Sequence, residues 1–184
     1  MQNQTNVTNL ITQQFLNELS VLFSIQQTQP FSFDIESKDY AGFELKLNSQ
    51  RIICRTAKIT PTKTGCFVTL WKRNAINKTT RPFEANDEVS LVLVFAKSEF
   101  KQGFFIFTEN VLVEKGIFRS PQKAGKCATR LYPPWSEPTA KDAIRSKQWQ
   151  VDYFLELTII SSEDCAESIK FDVTKAQQLF KKLI

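Results

Sequence analysis

Lys58, Lys63, Lys72 and Arg73, with Trp71 beside the last two, form one group of residues suited to chemistry, and Lys126, Arg130, Tyr132 and Trp135 form a second. The chemistry is recognition of a polyanion. Lys and Arg neutralise phosphates and release counterions. An aromatic face stacks on a base, which contributes about 1–3 kcal/mol per base in single-strand binders. Pro133 and Pro134 fix an extended backbone and present the flanking rings of Tyr132 and Trp135 rigidly. Both groups sit in acid-free windows. Leu45 to Phe83 holds nine basic residues and no acidic one, and Lys115 to Ser136 holds five more. Charge segregated in this way predicts a positive surface. Each ring also has a plainer reading: Trp71 as core, and Trp135 as the anchor of a loop folded over the core. Trp149 and Tyr153 read as core.

Other chemistries find less support. The chain has no histidine, which removes the commonest general base and zinc ligand and excludes Ser–His or Cys–His nucleophiles. Hydrolysis would need carboxylates with a divalent metal. The acid-x-Lys pattern occurs at Glu36/Lys38, Glu44/Lys46 and Glu99/Lys101, no more often than so many acids and lysines supply by chance. The best set is Asp34, Glu44 and Lys46, because Glu44 and Lys46 share a strand face. If Phe104–Phe107 is the motif strand instead, it offers only apolar residues, with Asp87 alone before it. No Walker-type loop or Gly-x-Gly-x-x-Gly occurs. Cys54, Cys66, Cys127 and Cys165 are scattered without metal-ligand spacing and read as free thiols of a reduced compartment. The first basic residue is Lys38, against a secretory or transit leader. The longest strongly apolar run, about Leu91 to Ala96, is far short of a membrane span. A cytoplasmic protein without cofactor or membrane contact is expected.

The elements that must position these residues follow from periodicity. Val7, Leu10, Ile11, Phe15, Leu19, Leu22 and Phe23 predict an amphipathic helix from about Thr8 to Ser24, capped by Thr5, Asn6 or Thr8 and followed by Pro30 as a stop. Phe43, Leu45 and Leu47 alternate with polar residues as in a half-buried strand. Arg51–Ile59 and Cys66–Trp71 read as strands around a turn at Pro61 to Gly65, and a strand over 66–73 would put Phe67, Thr69, Trp71 and Arg73 on one face. Val89–Phe95 reads as a strand buried on both faces, and Phe104–Phe107 as a short strand. Thr108–Lys115 is a short helix ended by Gly116, and Ser120–Ala128 is a loop. Lys141–Gln150 is helical, Val151–Leu157 alternates as a strand, and Asp172 caps a last helix through Leu183. Helices at both ends of a run of strands predict one domain over residues 1–184, an α/β fold with a mixed central sheet flanked by helices.

Several blocks, in order, carry a family resemblance: AKITPTKTGCFVTLWKRN (57–74), RPF (81–83), GFFIF (103–107), VLVEKGI (111–117), GKCATRLYPPW (125–135) and KQWQVDYF (147–154). Over roughly 43–154 the chain resembles the MepB family. Cys66 stands where that family usually carries Gln, and Leu131 where Val is common. The resemblance implies a restriction-endonuclease-like, PD-(D/E)XK-like fold whose catalytic carboxylates have been lost, and binding of nucleic acid. The expected function is therefore non-catalytic binding of nucleic acid, with single-stranded RNA or DNA favoured. Lys58, Lys63, Lys72, Arg73, Lys126 and Arg130 would contact phosphates, and Trp135 and Tyr132 would stack. The alternatives are a metal-dependent nuclease using Asp34, Glu44 and Lys46, and a regulatory module whose basic face docks an acidic protein.

Overall fold

The computed structural model describes residues 2–24, 27–33, 42–74, 79–162 and 165–181. The elements in chain order are α1 (Gln2–Phe23), β1 (Gln27–Phe33), β2 (Phe43–Leu47), β3 (Gln50–Thr56), β4 (Lys58–Thr60), β5 (Lys63–Thr69), β6 (Trp71–Arg73), β7 (Thr80–Pro82), β8 (Val89–Lys97), β9 (Gln102–Thr108), α2 (Glu109–Glu114), β10 (Ala128–Leu131), α3 (Lys141–Gln150), β11 (Phe154–Ser162), β12 (Cys165–Lys170) and α4 (Val173–Leu179). A single turn of 3-10 helix precedes β8 at Ala85–Asp87, and another precedes β11 at Val151–Tyr153.

The architecture is mixed α/β, with a curled, mostly antiparallel sheet and a few helices. Seven strands run in the order β1-β2-β3-β8-β9-β11-β12. Only the β3–β8 contact is parallel among these pairs. A three-stranded sheet, β10-β5-β4, and a ribbon of β6 and β7 stand apart from it.

β8 explains the layering. Its nearly unbroken apolar run is buried on both faces, as the sequence predicts. Leu91, Leu93 and Phe95 join one core with Phe15, Leu16 and Leu19 of α1 and Ala176 and Phe180 at α4. Val92, Val94 and Ala96 join a second core with Cys66 and Val68 of β5, Leu112 of α2 and Leu131 of β10. The register slips where Arg51 faces Val89 and Ile52 faces Leu91. The extra residue rotates Val89 onto the second face. Helices α1 and α4 therefore cover one side of the large sheet, and the small sheet with α2 covers the other.

Local chemistry sets several boundaries. Lys141–Gln150 is helical over the predicted span. Asp172 accepts a hydrogen bond from the Lys175 amide at 2.9 Å, which caps α4. Gly116 follows α2 at φ +65°, where a side chain would be strained. Three expectations need correction. Helix α1 starts at Gln2, so Thr5, Asn6 and Thr8 lie within it rather than capping it. Pro30 lies in strand β1, paired with β2, instead of in a stop. Val151–Tyr153 forms a 3-10 turn, and the strand starts at Phe154.

The thiols of Cys54 and Cys66 are buried and free, while Cys127 is partly exposed. Desolvation pushes both buried thiols above their ordinary pKa, so little nucleophilic thiolate is present at neutral pH. Cys54 and Cys66 should therefore resist iodoacetamide in the native protein and react only after unfolding, as peptide mass mapping would show. Equal labelling of Cys54 and Cys127 under native conditions would contradict this burial.

Candidate nucleic-acid interface

The small sheet brings part of the predicted set together. β4 pairs antiparallel with β5, Lys58 opposite Phe67, and β10 pairs with the other edge of β5, Arg130 opposite Phe67. Directly opposed residues project from the same face. Lys58, Phe67 and Arg130 thus form a row across three strands. Period-two alternation sends Cys66, Val68 and Leu131 to the other face, where they are buried in the second core. Phe67 is only half-buried. The solvent face of this sheet and α3 bound a groove of about 350 Å³, lined by Lys63, Phe67, Lys126, Arg130, Tyr132 and Ser146 among others, none of them acidic.

Arg130 is both rim and clamp. Its Nη1 donates to Thr60 Oγ1 at 2.9 Å and lies 3.2 and 3.3 Å from the carbonyls of Gly65 and Lys63, tying β10 to the β4–β5 turn. Its guanidinium carbon sits 6.0 Å from the Phe67 ring centroid. Gln150 of α3 completes the edge of β10: it accepts from the Tyr132 amide at 2.8 Å and donates to the Arg130 carbonyl at 3.1 Å. A buried amide thus takes the place of a neighbouring strand for two backbone groups that would otherwise be orphaned.

Other predicted residues go elsewhere. The strand expected over Cys66–Trp71 breaks at Leu70, whose amide donates to the Cys127 carbonyl at 2.8 Å. Trp71, Lys72 and Arg73 form β6 and pair with β7, off the groove sheet. Lys72 is ion-paired with Asp87, whose side chain is only 8% exposed. The same corner pairs Arg81 with Glu84, and Arg51 with Glu44 through bonds of 2.8–3.1 Å. These acids lie just outside the acid-free window, and folding returns them to its cations. The segregation of charge in the sequence therefore overstates the positive surface. Arg73 is exposed, lies over Trp71 at 5.7 Å and is not among the residues that line the groove.

The two rings assigned to stacking are also relocated. Tyr132 is 8% exposed, and its ring packs over Gly65, where the positive φ and the lack of a Cβ allow the approach. It borders the groove without offering a free face. Trp135 is half-buried and meets Phe154 edge-on at 5.3 Å, against the second core. Trp149 packs on Phe107 and Tyr153, as a core residue should. Trp135→Ala should accordingly cost about 3 kcal/mol or more of stability, through lost burial and a cavity. Urea denaturation would read the loss, and an unchanged midpoint would return Trp135 to the surface. Phe67 also lines the groove, a ring which the sequence places among the basic residues but which was not assigned a stacking role. Its signal was present in the alternation Cys66-Phe67-Val68-Thr69, which leaves either phenylalanine or its apolar neighbours facing out.

Of the nuclease set, the structure describes Glu44 and Lys46. Asp34, Glu36, Lys38 and Lys78 lie outside the described residues. Glu44 and Lys46 do share the half-exposed face of β2, but Glu44 engages Arg51 through both carboxylate oxygens. Among the described residues, no group of three or more Cys, Asp or Glu is placed to hold a metal. No helix among them is long and apolar enough to cross a membrane.

A family model described as MepB-like matches residues 34–156. Among solved structures, the crystal structure of MepB is similar: 30% identical, TM-score 0.66, covering 75% of this chain and 93% of that one. No curated protein matches.

Proposed function

This chain belongs to the MepB-like family, and from its acid-free groove we propose that it is a non-catalytic nucleic-acid-binding protein favouring single-stranded RNA or DNA. The groove carries the proposal: Lys63, Lys126 and Arg130 line one concave face with an aromatic ring between them and no carboxylate. The other two large depressions mix signs, with Glu156 and Asp172 beside Lys170 and Lys175 in one and Glu137 beside Lys147 in the other. Among these three depressions of the described residues, the one at the small sheet offers a polyanion an uncompensated field. Lys58, in the row with Phe67, extends the same face. Lys72, Tyr132 and Trp135 drop out of the contact set because their partners are inside the protein, and Arg73 because it stands on another ribbon.

The reading also includes a PD-(D/E)XK-like origin for the scaffold. A mixed sheet covered on both sides supports it, as does a Glu44 held by arginine rather than open to a metal. It places the protein in the cytoplasm, in keeping with the buried thiols of Cys54 and Cys66.

Fluorescence anisotropy with labelled oligo-dT, oligo-U and duplex DNA tests the proposal. Three cations on a single strand predict a slope of log affinity on log salt of about −2, or roughly 20-fold weaker binding between about 50 and 200 mM salt. Substrate incubated with magnesium or manganese should remain intact on a denaturing gel. Affinity indifferent to salt would remove the phosphate contacts, and metal-dependent cleavage would replace the binder with a nuclease.

A further inference from the structure

We infer that the groove over the β4–β5–β10 sheet takes one unstacked nucleotide of a single strand, its base stacking on the cation–π pair that Arg130 makes over the Phe67 ring while Lys63 and Lys126 flank its phosphates. This rests on the nucleic-acid reading above and adds the form of ligand and the residues that select it.

Phe67 is the first observation. Its strand neighbours Cys66 and Val68 are buried, so the fold has an apolar face for β5 and Phe67 is not on it. A phenylalanine turned to the open side, between Lys58 and Arg130 on the adjacent strands, has the arrangement of a base-stacking sheet: an aromatic in the middle and cations beside it.

Arg130 is the second. One nitrogen, Nη1, carries all its hydrogen bonds to the β4–β5 turn. Among the described residues Nε and Nη2 make none. The guanidinium is thereby fixed in orientation near the Phe67 ring with an edge still able to donate. A planar cation held in advance loses little freedom when a base or phosphate arrives. Guanidinium planes stack on bases as aromatic rings do.

The third is size. About 350 Å³ between a three-stranded sheet and one turn of α3 admits a single nucleotide. A duplex, whose bases are already stacked, offers no free base face to the ring and meets the lysines through its phosphates alone. Selectivity for exposed bases follows from geometry rather than from charge, since the phosphates of both forms are equivalent to a lysine.

The test uses the full chain and oligo-dT carrying one 2-aminopurine, whose fluorescence falls when the base stacks. Wild-type protein should bind and quench it. Phe67→Leu should weaken single-strand binding about 5- to 100-fold, abolish the quenching and leave the salt slope unchanged. Phe67→Tyr should retain both affinity and quenching. Replacing one nucleotide of the ligand by an abasic unit should weaken the wild-type complex by a similar factor, a measurement that needs no protein variant. Salt-sensitive binding with no quenching, and no penalty for Phe67→Leu or the abasic unit, would overturn the stacking site and leave a phosphate binder. Absence of binding to any strand would overturn both readings.

Discussion

Lys63→Glu combined with Lys126→Glu is expected to weaken oligonucleotide binding on the order of 10- to 100-fold and to flatten the salt slope by more than one unit. Both lysines are exposed and line the groove, Lys63 from β5 and Lys126 from the loop before β10. Their backbone groups serve the fold: the Lys63 carbonyl lies within reach of Arg130 Nη1, and the Lys126 amide donates to Ile117. Their ammonium groups make no ion pair among the described residues. Reversing their charge therefore removes attraction and adds repulsion at the ligand while leaving the packing alone, so the melting temperature should move by no more than a surface substitution normally produces. Lys72→Glu is the instructive contrast. It sets a carboxylate against the buried Asp87 beneath Arg51 and should lower the melting temperature without a specific effect on binding. Isothermal anisotropy titrations and thermal melts on both variants separate the cases. If Lys63→Glu/Lys126→Glu binds like the wild type, the groove is not the interface.

Gly103→Ala should be among the most damaging single substitutions in the chain, at about 3 kcal/mol or more. Gly103 sits in β9 between Ala96 of β8 and Glu156 of β11. A Cβ there would fall well inside 3.0 Å of the Leu155 carbonyl oxygen and of the Phe154 ring. Its φ is not in the left-handed region, so the requirement is for space and not for conformation. The obstacle includes backbone held in the β9–β11 ladder, which cannot shift without opening that pairing. For a chain of this size the loss should lower the melting temperature by about 6–12 °C. Adding Phe154→Leu should recover only part of it, because the carbonyl stays where it is. A shift of less than about 2 °C would show that β9 and β11 can separate freely, contrary to a tightly packed interior.

Gly103 and the lysine pair Lys63 and Lys126 mark different limits of what the sequence makes legible. The GFFIF block flags Gly103 as unusual, but a single chain does not say which neighbour demands the missing side chain. The basic windows flag Lys63 and Lys126 together with Lys72 and Arg81, although only the first two are left facing solvent without an acidic partner.

Local physics was readable directly. Alternation along β2 and β5, the unbroken apolar run of β8, helix α3 and the Asp172 cap are patterns of neighbouring residues, so residue order displays them. The location of α1 was readable, but not its start, because its first turns carry Gln, Asn and Thr instead of an apolar stripe. Pairing was not readable. Glu44 with Arg51, Asp87 with Lys72 and Glu84 with Arg81 cancel a charge pattern that looked continuous, because Coulomb energy depends on distance in space and not on position in the chain. Tyr132 was withdrawn from the surface by packing over Gly65, and Trp135 was half-buried against Phe154, residues remote from them in sequence. Phe67 was turned outward by the second core, which needed its neighbours Cys66 and Val68. The sequence by itself determined the family, the segments and the supply of cations and rings. Tertiary structure alone decided which cations keep their field and which ring faces water, since both depend on partners that meet only when the sheets close.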